Sequence, residues 1–212
     1  MELRAPAILC AARPHGEVGM IVRLLTMRHG MVAAYVAGGR GREMRPVLIP
    51  GNSVEAQLRA RIPTQMPSAR IELTVSRAPF LTEPLPAAAI GWVTGLAAAA
   101  LPEGQAYPAI CEALSALLDA VCHAPSARGW AGALLAYEAL VLRELGYGEV
   151  FGAGIDGQRL LRLGENGDWQ AWMSGFERIG AALSRYVLAD RRGDVMGARI
   201  RLHERLRRIA AP

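Results

Sequence analysis

The order of apolar and polar residues divides the chain in two. In "SVEAQLRARI", Val54, Ala56, Leu58, Ala60 and Ile62 alternate with Glu55, Gln57, Arg59 and Arg61. A period of two predicts a half-buried strand with a charged outer face. "ARIELTVSR" repeats the device, with Ile71, Leu73 and Val75 expected inward. Upstream, "GMIVRLLTM" and "MVAAYVAG" flank Arg28-His29-Gly30, a short connection in which Gly30 is expected at positive φ. With residues 2–10 these make five strands before residue 79. A small closed or nearly closed barrel is the natural way to remove their edges.

After Pro79 the period becomes helical. Pro86 stands at a first-turn position ahead of Ile90, Val93 and Leu96. Pro108 does the same before Ile110, Leu114, Leu117 and Val121, and a helix over 129–145 is expected to stop at Gly146. Residues 147–170 are glycine-rich, and "GQRLLRLGENGDW" predicts a small hairpin turning at Asn166-Gly167. Ser174 and Glu177 have capping-box spacing for a helix carrying Phe176, Ile179, Leu183 and Val187. A last helix is expected from about Asp194 to Ile209. The fold class is therefore α+β: a barrel domain over 1–78, then an all-α domain over 79–212 with a hairpin insert at 147–170.

Composition adds constraints. Just over half of the 212 residues are apolar and a fifth are charged, which excludes a disordered chain. Residues 84–102 carry no charge but are rich in Ala, with Gly91, Thr94 and Gly95, so a buried helix is expected and not a membrane span. Cys10, Cys111 and Cys122 are too scattered for a disulfide framework or a zinc site. With no visible signal peptide, a reducing, cytoplasmic location is expected.

The net charge is +5, and all 24 basic side chains are arginine. Residues 1–78 carry +6, residues 79–150 carry −5 and residues 151–212 carry +4. Three surfaces of alternating sign suggest distinct partners. No active-site motif accompanies them. His15, His29, His123 and His203 lack metal-ligand spacing, and "GAGIDG" at 152–157 lacks the context of a phosphate-binding loop. The expectation is a binding protein and not an enzyme, with no cofactor.

The candidate site lies on the barrel. Arg40, Arg42 and Arg45 share the loop "YVAGGRGREMRPVL" with Gly38, Gly39 and Gly41. In this reading the glycines let backbone amides approach phosphates while the arginines neutralise them. Arg13, Arg23, Arg59 and Arg61 would extend the track. The strand arginines also fit an ordinary solvated face, and both readings stand. Tyr35 is the only aromatic residue before Phe80, so a sequence-independent, backbone-tracking mode is expected. Arg201, Arg205 and Arg208 share one face of the last helix, either solvated or a second contact. Glu138 sits in an otherwise apolar run, which fits a carboxylate paired structurally with an arginine or an amide.

"ARPHGEVGMIVRLLTMRHG" at 12–30, the basic loop "VAGGRGREMR", "LPEG" at 101–104 and "LLAYEALVLRELGYG" at 134–148 together resemble the bacterial RecO family. The resemblance implies an N-terminal OB-fold followed by a helical domain. It also implies a DNA-repair and recombination mediator that binds single- and double-stranded DNA, anneals complementary strands and assists recombinase loading. Its implied partners are RecR and the C-terminal tail of single-strand-binding protein; separately, the dense Ala and Leu content of the helical domain suggests an apolar groove for a partner peptide. Many members carry a cysteine zinc site after the Leu-Gly-Tyr-Gly turn. Here that stretch reads "EVFGAGIDGQ", so no metal is expected. An RNA-binding barrel and an interaction scaffold for an acidic partner are the alternatives.

Overall fold

The structure, a computed structural model, describes residues 2–62, 65–148, 159–162, 168–189 and 194–210, with side chains to 208. Five strands form first: β1 (Glu2–His15), β2 (Gly19–Thr26), β3 (Gly30–Val36), β4 (Ser53–Arg59) and β5 (Ser68–Val75). They close into a barrel in the order β1-β2-β3-β5-β4. Neighbours are antiparallel except β3 and β5, which meet in parallel at Tyr35 and Ser68. The alternation read from the sequence builds the interior: Leu9, Val22, Leu24, Ala34, Val36, Val54, Ala56 and Leu58 pack inside. Gly30 takes φ +66°, and the space beside it belongs to the backbone of Gln105. A side chain there is excluded twice over.

Three expected core residues stay outside. Ile62, Leu73 and Val75 are 56%, 39% and 49% exposed. β4 ends at Arg59, so Ile62 lies beyond the ladder. β5 has β3 beside it only at its first residue, so its second half has a strand on one side alone. Alternation sets which way a side chain points, and a second neighbour decides whether it is buried.

The β3–β4 connection is packed rather than loose. Met44, Val47 and Leu48 lie against the barrel core. Its end is fixed by Asn52, fully buried, whose Nδ2 donates to the carbonyls of Pro46 and Val47 at 3.0 Å each. Asn52 Oδ1 accepts from the Arg77 amide at 2.8 Å, and the buried Arg77 guanidinium donates to Gly51 O at 2.6 Å and Ser53 Oγ at 3.0 Å. This polar knot joins the loop to the start of β4 and the segment after β5.

The chain divides into two compact units, Met1–Cys111 and Glu112–Pro212. The change from strand to helix at 78/79 is therefore not the packing boundary. A 3-10 turn (Ala78–Thr82) leads into α1 (Pro84–Ala100), which belongs with the barrel and packs on β1 and β2. It begins two residues before Pro86, at Pro84, and buries Ile90, Trp92, Val93 and Leu96. The uncharged segment is thus a buried helix. Among the described residues no helix is long and apolar enough to cross a membrane.

The second unit takes in most of α2 (Pro108–His123), then α3 (Arg128–Leu142), α4 (Trp169–Ala182) and α5 (Val195–Ala210). A wider turn, Arg143–Tyr147, extends α3 to Gly146 at φ +89°. α4 starts earlier than the Ser174/Glu177 spacing suggested. Asp168 caps it, accepting from the Ala171 amide at 2.9 Å, and Trp172, now inside the helix, is fully buried and donates from Nε1 to Ala131 O at 2.8 Å. Burial of Trp172 in the added turns outweighs the downstream cap. Residues 159–162 are helical and not the first arm of a hairpin, with Leu160 buried. The Asn166-Gly167 turn and the cysteine-free stretch 149–158 lie outside the described residues.

Candidate nucleic-acid interface

The strand register brings one aromatic corner together. Arg13 pairs with Ile21, and Ile21 with Tyr35, so the three stand in a row across β1, β2 and β3 on the outer face. Two residues along from Arg13, His15 meets the Tyr35 ring edge-on, with centroids 6.0 Å apart and planes at 78°. The Tyr35 ring lies over Gly19, where any side chain would collide with it. His15, Gly16, Glu17, Val18, Gly19, Tyr35 and Met66 line an open pocket of about 320 Å³. It is bounded by the β1–β2 turn and the β4–β5 connection, the loops through which five-stranded barrels of this type bind oligonucleotides.

The loop arginines stand beside it. Arg40 donates from Nη1 to the carbonyl of Glu17 at 2.9 Å, and its amide donates to Val18 O at 3.1 Å, stapling the loop to the β1–β2 turn. Arg45 Nε donates to Arg40 O at 3.3 Å. These partners are neutral carbonyls, and among the described residues no carboxylate pairs with either guanidinium. Arg13 and Arg42 are exposed, and among the described residues no carboxylate pairs with them.

The glycines do something other than expected. The amides of Gly39 and Gly41 donate to Val36 O and Gly38 O, inside successive turns. A side chain at Gly39 would run into Met20 and Leu48. The glycines let the loop fold down onto the barrel, and these amides are not aimed at a ligand. The loop is a packed, internally hydrogen-bonded platform for three arginines.

The other predicted arginines are placed differently. Arg23 forms an ion pair with Glu103 at 2.9 Å and donates to Leu101 O at 3.2 Å, tying β2 to the segment after α1. Its charge is paired within the barrel unit. Arg59 pairs with Glu2 at 2.8 Å, and Arg4 with Glu55 at 2.9 Å. Register places Glu2, Arg4, Glu55, Arg59, Arg70 and Glu72 on one outer surface of β1, β4 and β5, where three acids balance three arginines. That face is electrically neutral and does not extend the track. Arg61 is exposed on the β4–β5 connection, the same connection that contributes Met66 to the pocket.

Of the predicted arginines, Arg13, Arg40, Arg42, Arg45 and Arg61 have no carboxylate partner among the described residues, and Arg40 reaches the pocket through the Glu17 carbonyl. Known sequences agree on what kind of chain this is. The family profile described as "Recombination protein O N terminal" matches residues 1–74, the five strands. "DNA repair protein RecO" of Phenylobacterium zucineum is 39% identical over 186 residues, covering 87% of this chain and 72% of the relative. The chain belongs to the RecO family. The RecO protein of Gluconacetobacter diazotrophicus is 31% identical, with 95% and 94% of the two chains covered. That of Rhodospirillum centenum is 40% identical over 154 residues, and the chain spans 60% of its length. The closed five-stranded barrel is the OB-fold that family membership implies.

Within this RecO chain, sequence reasoning overlooked Val18, His15 and Met66 as site residues. His15 was weighed only as a metal ligand, and Met66 lies beyond any periodic pattern. One signal was present: His15-Gly16-Glu17-Val18-Gly19 places an imidazole and an exposed valine around glycines in a hairpin turn.

Proposed function

We propose that the protein is a non-enzymatic, DNA-binding recombination mediator in DNA repair, binding single and double strands through the rim of its barrel. The observation that carries this reading is the arginine-bearing loop stapled by Arg40 to the β1–β2 turn, beside an open aromatic pocket at oligonucleotide-binding loops, with Arg13, Arg40, Arg42 and Arg45 free of carboxylate partners among the described residues. Arg61 is exposed on the β4–β5 connection, which contributes Met66 to the pocket. Family membership supports the reading, since the relatives carry the name DNA repair protein RecO.

The chemistry asked of such a site is modest. Arginine forks neutralise phosphates and release counterions, which gives sequence-blind affinity. Two bound strands repel each other less, and weak contacts allow them to search for register, so annealing requires no catalytic group. Assisted recombinase loading, with RecR and the acidic tail of single-strand-binding protein as partners, completes the proposal. Fluorescence anisotropy with single-stranded DNA, duplex DNA and matched RNA at several salt concentrations tests it. Salt-sensitive binding to DNA is expected, at least as tight as to RNA. Salt-independent binding, a marked preference for RNA, or no binding to any of the three would overturn it.

A further inference from the structure

The phosphate contacts proposed above do not account for the pocket itself, whose walls are aromatic and apolar. Tyr35 and His15 present two rings at 78°, the exposed Val18 and Met66 lie beside them in the lining, and Gly19, lacking a side chain, lets the Tyr35 ring lie over it. Exposed apolar and aromatic surface on a rim that is otherwise charged marks a binding site for something flat and apolar on one side and anionic on the other. An unstacked nucleobase with its sugar-phosphate fits that description.

We propose that this pocket seats a single unstacked base of a DNA strand, stacked against Tyr35 and His15, while the adjoining phosphates lie toward Arg40 and Arg42. The inference rests on the nucleic-acid reading and adds a selectivity to it. Glu17 also borders the pocket, and its negative charge disfavours a phosphate over the β1–β2 turn and directs the backbone to the loop side. Arg40 is pinned to that same turn through the Glu17 carbonyl, so the cationic wall and the aromatic wall hold a fixed spacing. A base locked in a duplex cannot enter without unpairing. The pocket therefore adds affinity for single strands only, on top of the shared phosphate contacts.

Oligothymidylate and an abasic oligomer of the same length and charge, measured against the intact 212-residue chain, test this. The intact protein is expected to prefer the base-bearing strand by about tenfold, the usual scale of one base on one aromatic ring. Tyr35→Leu, which keeps apolar bulk in the strand, is expected to abolish that preference and leave duplex affinity unchanged. His15→Ala, at an exposed strand end, provides the same reading should Tyr35→Leu unfold the barrel. Equal affinity of the intact protein for both oligomers, or a preference that survives both substitutions, would overturn the base pocket while leaving phosphate binding in place. Failure to bind either oligomer or duplex would overturn the DNA reading and the pocket with it.

Discussion

Arg199 and Glu138 form a fully buried, two-pronged ion pair: Nε donates to Oε1 at 3.0 Å and Nη2 to Oε2 at 2.7 Å. The same Nη2 donates to Phe176 O at 2.6 Å, and the guanidinium lies 3.5 Å from the centroid of the Phe176 ring. Gly180 makes room for it, since a side chain there would overlap Nη1. α3, α4 and α5 are joined through one planar cation. Removing one partner strands the other charge out of water. Glu138→Gln is expected to destabilise the protein by about 3–5 kcal/mol, and Arg199→Ala by a similar amount. The double change Glu138→Leu, Arg199→Met is expected to lose less than either single change. Urea unfolding monitored by circular dichroism measures all three.

The Asn52 knot is the corresponding feature of the barrel. Asn52→Ala removes both donors to the loop carbonyls and the acceptor of the Arg77 amide. A loss of roughly 1–3 kcal/mol is expected from the buried groups left unsatisfied. Faster amide exchange at residues 44–53 would accompany it, because the arginine-bearing loop loses its anchor. A loss spread evenly over the barrel would contradict this local role.

Two exposed arginines separate the proposed track from the neutral face. Arg42 has no carboxylate partner among the described residues, whereas Arg59 is paired with Glu2. Arg42→Ala is expected to weaken single-strand binding and to reduce the log–log salt slope by about 0.7, the value of one single-strand phosphate contact. Arg59→Ala is expected to change neither. Salt titrations of both variants against the same oligonucleotide decide the matter.

His203 gives the helical unit an acid sensitivity. Burial against Phe176 pushes its imidazole below the ordinary 6.5, with Glu177 opposing, Arg199 and Arg207 reinforcing, and Glu204 opposing. The unfolded chain then takes up a proton that the folded chain refuses. Stability rises with pH across the window between the lowered folded value and 6.5, and it falls as the solution is acidified through that window. His203→Gln is expected to flatten this part of the profile. Denaturation midpoints measured from neutral pH downward, with and without the substitution, provide the check.

Legibility differed between the two halves for a physical reason. Alternation is local, so the five strands and the inward positions Val54, Ala56 and Leu58 could be read directly. Burial at a barrel's open end is not local, which is why Ile62, Leu73 and Val75 defied the same pattern. Capping signals compete, and Asp168 prevailed over Ser174 because an earlier start buries Trp172. Glu138 could be read as a paired carboxylate, yet its partner lies 61 positions away. No local rule selects Arg199 among so many arginines.

The sequence by itself determined the two kinds of element, the barrel's interior, the basic loop and the likeness to the RecO family, because each is written in contiguous residues. Only the tertiary structure decided which arginines keep an uncompensated charge. Register across β1 and β4 sets Glu2 beside Arg59, and the return of the chain after α1 sets Glu103 beside Arg23. The same closure brings His15, Tyr35 and Met66 from three separate segments to one pocket. Charge and ring type are properties of a residue, whereas compensation and convergence are properties of distances that folding alone creates.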